Sequence, residues 1–390
     1  MWLQYGVSED GALVFIDDVP KGKTQLHCPY CGGDLTAKKG TRKEHHFAHS
    51  GETCREVSRS TDIHTLPLFD KFHLELTGKE LEQLEKFWKK GYCSMIRTLE
   101  SQKLLQRNEY AGKFGRYELT KLGKIPLGQL SLQLFNEIQE PLIEKKLRDL
   151  QRSVLDAYDA DSPLLVEKLT DLKIYRAQLQ RILANTLYFL LIQASGETFY
   201  KIGVTRRPVQ ERVTEIQNQL RSQFQQVTIK TLGTWEHRGN VELYFKHRYR
   251  DFNYIHGTST EYYKFDEATS VLMDLRRMKP KVLTEVETGI LNGEPDQVEV
   301  GIQADQKATQ RSQAIRTGMS RAKLWGTHVG RPTETDEDFL QKPSSQKVIS
   351  ALYEGLSLRK AAERTGVALN TVQKVKKLLL EQTGVNHKPF

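Results

Sequence analysis

The chain has 390 residues and a mass of 44.9 kDa, which exceeds the usual size of one domain and predicts roughly two to four. Hydrophobic residues make up 38%, charged residues 27%, and the mean hydropathy is −0.56, so several modest cores are expected. The longest apolar run, at 187–192, is too short to span a membrane, and the N-terminus does not resemble a signal peptide. Only four cysteines are present, which argues against a secreted disulfide framework and predicts a cytoplasmic protein.

The net charge of +9 is unevenly distributed along the chain. Residues 301–332 and 344–390 each carry a net charge of +5, and the rest of the chain nets −1. A polyanion partner is therefore expected at the C-terminal end, where the excess is concentrated.

Residues 1–75 combine short β-like runs with a group of cysteines and histidines. Cys28-Pro-Tyr-Cys31-Gly-Gly has the paired-thiolate spacing that Zn²⁺ prefers, followed by glycines that permit a tight turn. His46 and His49 follow in His-His-Phe-Ala-His, and if this segment is helical they share a face and complete a Cys₂His₂ site. His45 and Cys54 are substitute ligands. The pattern predicts a small module that structural Zn²⁺ holds folded.

The segment CPYCGGDLTAKKGTRKEHHFAH resembles the N-terminal segment of the competence protein CoiA-like family. The catalytic carboxylates and lysine that follow in that family are not found here. The resemblance therefore implies the zinc module and not the activity.

Residues 76–183 are predicted to be a mainly helical spacer. Leucines at 165, 169, 172, 179 and 183 follow alternating steps of four and three. This spacing is typical of the buried stripe of a bundle helix, with a short coiled coil as the alternative.

Residues 184–280 alternate between strand and helix patterns. A buried strand at 186–192 is followed by a hairpin turn at 194–197 and a second strand at 199–204. A helix carrying Arg212 comes next, and a later helix carries Glu242 near its start. This order resembles the GIY-YIG nuclease superfamily, in the phage and prokaryotic branch whose second motif reads Tyr-Lys-Ile-Gly.

The resemblance implies an α/β nuclease domain that cleaves phosphodiester bonds. Glu242 would hold Mg²⁺ or Mn²⁺, Arg212 would contact the scissile phosphate, and Tyr188 would orient or deprotonate the attacking water. Lys201 stands at the position of the second tyrosine of the motif, where it would supply positive charge. The preceding Tyr200 would either pack in the core or substitute for that tyrosine. Carboxylate oxygens suit these hard cations, and the guanidinium fork suits phosphate.

The sequence also departs from the superfamily pattern. Leu187-Tyr-Phe lacks the leading Gly-Ile, and Ile216 stands where several members have histidine. His247 lies five residues after Glu242, about 140° around a helix, so it is not expected to share the face of Glu242. Glu261 is a further carboxylate that could approach the site.

Residues 281–317 are predicted to be a linker, because Thr284–Val300 holds five acids and no base. Residues 318–390 then suggest a basic arm and three short helices. Two predicted helices, Leu358–Thr365 and Leu369–Leu380, flank Gly366. The stretch has the residue types that a helix-turn-helix needs: a small residue where the helices cross, a turn residue that tolerates positive φ, and a β-branched residue that anchors the second helix. The outward positions at the start of the second helix are Leu369, Asn370, Gln373 and Lys374, which suit base edges in the major groove.

The stretch from Arg321 to Pro332 resembles the arm that precedes the DNA-binding domain of serine recombinases such as the Hin invertase. That resemblance implies a resolvase-type reader without a recombinase catalytic domain, and an arm that follows the minor groove. The predicted contacts on the arm and to the DNA backbone are Arg321, Lys323, Arg331, Arg359, Lys360, Lys376 and Lys377.

Together these patterns predict a multidomain α+β protein with a zinc module, a helical spacer, a GIY-YIG-like domain and a C-terminal three-helix reader. The predicted function is metal-dependent endonuclease cleavage of double-stranded DNA, in a homing or mobile-element setting or in defence against foreign DNA. The alternative is a DNA-binding regulator whose nuclease-like domain is inactive. One active centre per chain would cut both strands only as a homodimer or in two visits, and no membrane partner is expected.

Overall fold

The computed structural model describes residues 3–40, 44–54, 65–110, 116–256, 259–325 and 334–383. The chain divides into two compact units, Met1–Gln303 and Ala304–Phe390. Sheets and helices are combined in the first unit, and its N-terminal part is a small cysteine-containing module. The predicted multidomain α+β class is therefore confirmed.

The N-terminal module is one antiparallel sheet. Its strands are β1 (Tyr5–Val7), β2 (Leu13–Phe15), β3 (Gly22–His27), β4 (Asp34–Lys38) and β5 (His46–His49), in the order β2-β1-β3-β4-β5. Leu3, Tyr5, Leu35 and Phe47 belong to its buried core. The segment His46–His49 is thus a strand and not the helix that the zinc prediction assumed.

The region after this module is helical with one hairpin. It contains α1 (Gly78–Lys90), α2 (Ile96–Ser101), β6 (Leu105–Asn108), β7 (Arg116–Leu119), α3 (Lys121–Lys124), α4 (Leu132–Asp159) and α5 (Leu165–Leu183). Leu172, Leu179 and Leu183 of α5 are buried in one cluster with Ile143 and Leu147 of α4. The leucine spacing therefore forms the buried stripe of a packed helix pair.

A second antiparallel sheet lies at the centre of the first unit. Its strands are β8 (Thr186–Ala194), β9 (Glu197–Thr205), β10 (Val227–Trp235), β11 (Asn253–His256) and β12 (Ser259–Tyr263), in the order β10-β8-β9-β12-β11. Helices α6 (Val209–Arg221), α7 (Val241–Arg248) and α8 (Ala268–Arg276) alternate with these strands. The turn between β8 and β9 has left-handed backbone at Ser195 and Gly196, as a tight hairpin requires.

Helices cover both faces of this sheet. Leu187 and Phe189 pack on one face in a cluster with Phe135 of α4 and Tyr244 of α7. Leu190 and Ile192 point to the other face, in a cluster with Ile216 of α6. Since side chains alternate along a strand, both faces of β8 are buried, which explains its continuous apolar sequence.

The acidic stretch predicted as a linker instead forms α9 (Glu285–Leu291) and the start of α10 (Gln297–Leu324). Thr284 caps α9 through a capping box with Glu287. Ile290 and Ile302 are buried in the cluster that contains the α5 stripe. The composition of this stretch indicates a solvated segment, but its few apolar residues lie at spacings that let it pack on α5.

The second unit contains the rest of α10 and a compact helical group. The group consists of α11 (Asp336–Gln341), α12 (Pro343–Tyr353), α13 (Leu358–Thr365) and α14 (Leu369–Thr383). Its core includes Val348, Ala361, Val372 and Val375, each of which is fully buried. Among the described residues, no helix has the length and apolar character needed to cross a bilayer.

Candidate functional site

The first site residue, Tyr188, lies in the middle of β8 and is 1% exposed. The strand register pairs it with Gly203 of β9. A Cβ atom at position 203 would lie only 2.4 Å from the Tyr188 hydroxyl oxygen. Glycine at the end of the Tyr-Lys-Ile-Gly motif therefore makes the space that the phenol ring occupies.

Arg212 approaches Tyr188 from the first turns of α6. Its guanidinium donates a 2.8 Å hydrogen bond to the Glu215 carboxylate, and its positive charge acts on the Tyr188 hydroxyl. Burial raises the pKa of Tyr188, and the neighbouring Arg212 charge acts against that rise. The Arg212 side chain keeps 30% of its surface exposed, so it can still reach an anion from solvent.

Lys201 places a positive charge on the face of the sheet that carries Tyr188. Its side chain is 4% exposed, and its Nζ donates a 2.6 Å hydrogen bond to Glu261 Oε2 of β12. The same Nζ lies 4.7 Å from the centroid of the Tyr262 ring. Burial lowers the pKa of Lys201, and Glu261 opposes this change.

Glu242 and Glu261 form a pair of carboxylates beside Lys201. Lys246 Nζ lies 3.2 Å from Glu242 Oε1 and 3.0 Å from Glu261 Oε1. Burial raises the pKa of Glu242, although Lys246 acts in the opposite direction. Burial alone would also raise the pKa of Glu261, but Lys201 and Lys246 outweigh it and lower that pKa to about 2. These four residues, Lys201, Glu242, Lys246 and Glu261, are called the charged quartet below.

The start of α7 is fixed by polar contacts with α4. The Asn240 side-chain amide donates to Asn136 Oδ1 and to Gln139 Oε1, each at 2.8 Å. Val241 and Phe245 are buried in the apolar core beneath the helix. These contacts leave Glu242 in the first turn of α7, directed toward Glu261 and Lys246.

The structure separates Tyr200 from the other predicted catalytic residues. Tyr200 follows Phe199 and precedes Lys201, so its side chain leaves the opposite face of β9. Its ring stacks on Phe189, with centroids 5.6 Å apart, and packs on Phe265 at 5.5 Å. Of the two roles that the sequence left open for Tyr200, the structure shows packing.

Two other residues considered from the sequence also have packing roles. Ile216 is fully buried in the core between α6 and the sheet. His247 stacks on Phe72, and its Nε2 lies 3.0 Å from the carbonyl oxygens of Ile125 and Pro126. Lys246 is the member of the quartet that sequence reasoning missed. Its position four residues after Glu242 on a helix was the available signal.

The charged quartet has donors that fit a divalent cation. Glu242 and Glu261 each place a carboxylate oxygen within 3.2 Å of the Lys246 ammonium nitrogen, so two oxygen donors from different elements meet around one positive charge. Carboxylate oxygens are the ligands that Mg²⁺ and Mn²⁺ prefer. Arg212, next to Tyr188, supplies a separate group suited to an anionic oxygen.

A second candidate metal centre lies in the N-terminal module. Ligand atoms of Cys28, Cys31, His49 and Cys54 all lie within 4.8 Å of one another. Within this cluster, Cys31 Sγ lies 3.4 Å from His49 Nε2, and Cys28 Sγ lies 3.9 Å from Cys54 Sγ. Three thiols and one imidazole form a Cys₃His set, which can bind zinc in tetrahedral geometry.

The predicted ligand His46 does not belong to this cluster, and this part of the zinc prediction is corrected. In strand β5, residues three apart point to opposite faces, so His46 and His49 cannot both face the thiols. His46 is 8% exposed, and its Nδ1 lies 2.8 Å from the Glu44 carbonyl oxygen. Cys54, considered from the sequence as a substitute, stands in its place.

The segment that carries Cys28 and Cys31 forms the tight turn that the following glycines predict. Gly32 has a φ of 71°, and its N–H donates to the Cys28 carbonyl at 2.9 Å. Burial raises the pKa of the Cys28 thiol to about 12. A bound cation would therefore be needed to keep this sulfur ionised near neutral pH.

The cysteine-containing turn is held against helix α5. The Tyr30 hydroxyl donates to Asp171 Oδ1 at 2.8 Å, and the Tyr5 hydroxyl donates to Gln178 Oε1 at 2.9 Å. Ile174 of α5 completes the core of the module. Because α5 leads into β8, the module packs on the helix that precedes the strand of Tyr188.

In the second unit, most of the predicted nucleic-acid contacts lie on accessible surface. Val372 and Val375 of α14 face the core of the helical group. Gly366 ends α13 with a φ of 67°. Lys374 Nζ also lies 4.2 Å from the Phe339 ring centroid. The exposed predicted residues are Arg321, Lys323, Arg359, Lys360, Leu369, Asn370, Gln373, Lys374 and Lys377, and Lys376 is half-buried.

The predicted basic arm is described only in part. Arg321 and Lys323 lie in the last turn of α10, so the described beginning of the arm is helical. Arg331 lies outside the described residues.

Comparisons with known proteins give two family models that match parts of the chain, and each matched range includes one of the candidate sites. Residues 17–56 match the family model of the competence protein CoiA N-terminal domain, and this match contains the Cys₃His cluster. Residues 185–278 match the T5orf172 domain, a nuclease-like domain, and this match contains Tyr188, Arg212 and the charged quartet. No curated protein and no solved structure shows a significant match.

Proposed function

We propose that the protein is a metal-dependent DNA endonuclease that hydrolyses phosphodiester bonds. The observation that carries this proposal is the convergence of Tyr188, Arg212 and the charged quartet from five separate elements within the nuclease-like domain. Tyrosine, arginine, lysine and carboxylates are the groups that phosphodiester hydrolysis uses to orient water and to balance phosphate charge.

Each residue has a role that follows from its position. Arg212 binds the scissile phosphate, because its guanidinium is partly exposed beside Tyr188. Tyr188 orients the attacking water through its hydroxyl, which lies under the influence of the Arg212 charge. Lys201 stabilises negative charge that develops on the phosphate oxygens.

Glu242, together with Glu261, would hold Mg²⁺ or Mn²⁺. When bound, the cation would supply Lewis-acid polarisation of the phosphate and a more acidic water. The polar contacts of Asn240 with α4 fix the start of α7, so the Glu242 carboxylate is preorganised and does not have to be ordered during the reaction.

We propose further that the second unit directs the nuclease to double-stranded DNA. This proposal is supported by helices α13 and α14, which flank a left-handed turn at Gly366, because a helix-turn-helix needs two short helices joined by such a turn. Asn370 and Gln373 are exposed on the first turns of α14, where a recognition helix presents its base-reading side chains. The Cys₃His cluster would hold structural Zn²⁺ and so keep the N-terminal module folded.

The direct test is cleavage of supercoiled plasmid by the purified full-length protein with Mg²⁺ or Mn²⁺. We expect nicked or linear product with the wild type, and at least about 100-fold slower cleavage with Glu242→Gln and with Arg212→Ala. Glu197→Gln is the matched control, because it removes an exposed carboxylate that pairs with Lys264 at 2.8 Å. Cleavage that survives both site substitutions would contradict the assignment of the active site.

Absence of metal-dependent cleavage by the wild type would instead favour a DNA-binding regulator with an inactive nuclease-like domain. Sequencing the product ends from an active preparation would show whether cutting is site-specific. Site-specific ends support a homing or mobile-element enzyme, and scattered ends support defence against foreign DNA.

A further inference from the structure

Lys246 occupies the position between two carboxylates that a metal ion would take. Its Nζ lies 3.2 Å from Glu242 Oε1 and 3.0 Å from Glu261 Oε1. Glu261 has a second cationic partner in Lys201, at 2.6 Å. The charged quartet thus contains two carboxylates and two ammonium groups and is electrically balanced by its own side chains.

This balance has a direct consequence for cation binding. A divalent ion placed between Glu242 and Glu261 would lie within a few ångströms of the Lys246 ammonium, and like charges at that distance repel strongly in a partly buried site. Lys201 cannot relieve the repulsion, because its side chain is 4% exposed and its ammonium already pairs with Glu261. The side chain of Lys246 is 27% exposed, so its flexible stem gives it a route to solvent.

We propose that Lys246 is a built-in counter-ion that holds Glu242 and Glu261 together and competes with the divalent cation for them. This inference rests on the proposed nuclease function and assigns how its metal site is regulated. Occupation of the site requires the Lys246 ammonium to leave the carboxylates. A DNA phosphate arriving at the site offers that ammonium a new anionic partner, so metal and DNA are expected to promote each other's binding.

The placement of Lys246 follows from the helix that carries it. Residues four apart lie on one face of a helix, so Lys246 returns to Glu242 from the next turn of α7. Its second partner comes from β12, which is remote in sequence. The contact with Glu261 is therefore set by the tertiary structure, and it makes Lys246 a positioning residue for both carboxylates.

The test measures Mn²⁺ binding by isothermal titration calorimetry, without DNA and at about pH 8, where carboxylates are ionised. Lys246→Met keeps the length of the side chain and removes its charge, and we expect it to bind Mn²⁺ at least about tenfold more tightly than the wild type. Lys246→Arg keeps the cation and is expected to bind as weakly as the wild type. Lys264→Met is the matched control, because it removes an exposed ammonium that pairs with Glu197.

A second measurement adds a duplex with non-hydrolysable phosphorothioate linkages. We expect this duplex to tighten Mn²⁺ binding by the wild type and to have less effect on Lys246→Met, in which no ammonium needs a new partner. Unchanged or weaker Mn²⁺ binding by Lys246→Met would overturn the proposal. If that variant is poorly folded by circular dichroism, Lys246→Gln provides the same comparison.

The binding measurement separates this inference from the nuclease assignment. Tighter Mn²⁺ binding by Lys246→Met, with no cleavage by the wild type, would overturn the nuclease function and leave the role of Lys246 intact. Cleavage by the wild type, with equal Mn²⁺ affinity in both proteins, would support the nuclease and overturn the role of Lys246.

Discussion

At the scale of single residues, the candidate site depends on which neighbours surround each side chain. Tyr188 and Tyr200 both lie in apolar strands and look alike in sequence. Tyr188 meets Gly203 and Arg212, whereas Tyr200 stacks on Phe189. The chemistry that each tyrosine can perform is therefore decided by the face of the sheet to which it points.

Gly203→Ala tests whether the space beneath Tyr188 matters. The added Cβ would lie 2.4 Å from the Tyr188 hydroxyl oxygen, so the phenol has to move. We expect cleavage to fall by about 100-fold, as small displacements of catalytic groups cause, and stability to fall by about 1–3 kcal/mol. Gly301→Ala is the control, because a Cβ there meets no atom within 4 Å. Wild-type cleavage by Gly203→Ala would show that the Tyr188 position is not needed.

The pH dependence of cleavage tests the environment of Glu242. Burial raises the pKa of this carboxyl above its ordinary value of 4.5, so Glu242 takes up a proton at a higher pH than a solvent-exposed glutamate. A protonated carboxyl cannot hold the cation, and cleavage at subsaturating Mn²⁺ should therefore decline as the pH falls from about 8 toward 5. Excess Mn²⁺ should shift the decline to lower pH. A rate that stays constant over this range would contradict the assignment of Glu242 as a ligand.

At the scale of elements, the type of secondary structure decides which ligands meet. The His-x-x-His spacing favours a metal site only if the segment is helical, and the structure makes His46–His49 a strand. Pairing with β4 and an isolated bridge between Leu3 and Phe47 stabilise that strand. These long-range contacts override the local pattern and leave the fourth position to Cys54.

Zinc content tests this exchange of ligands. We expect about one equivalent of Zn²⁺ per chain in the wild type and in His46→Ala, and strongly reduced content in Cys54→Ser. The metal can be measured by inductively coupled plasma mass spectrometry on protein purified without chelators. Loss of zinc from His46→Ala, with retention in Cys54→Ser, would restore the set that the sequence predicted.

At the scale of the whole molecule, the chain joins a candidate catalytic unit to a separate, basic helical unit. The two units divide at Gln303 and Ala304, inside helix α10. The N-terminal module and the helices at 76–183 belong to the same unit as the central sheet, because α4 and α5 share cores with the sheet and with the module. The regions that the sequence suggests as separate domains thus pack together up to residue 303.

DNA binding by the full-length protein, without added divalent metal, tests the role of the second unit. We expect Asn370→Ala and Gln373→Ala to reduce discrimination between selected duplexes by about 1–3 kcal/mol for each lost base contact. Lys377→Ala should weaken binding to all duplexes and reduce the salt dependence by about one unit of slope. Lys347→Ala, an exposed lysine on α12, is the matched control. Unaltered affinity and specificity in all three site variants would contradict the proposed reader.

The sequence by itself determined the local features of this protein: the cysteine turn with its glycines, the β8–β9 hairpin, and the two C-terminal helices around Gly366. Local signals suffice there, because backbone torsions and the spacing of apolar residues are properties of short segments. The tertiary structure alone decided that Cys54 joins the thiols, that the acidic stretch packs as helix, and that Lys246 joins Glu242 to Glu261. Each of these contacts links residues from different elements, and their energy exists only after the chain has folded.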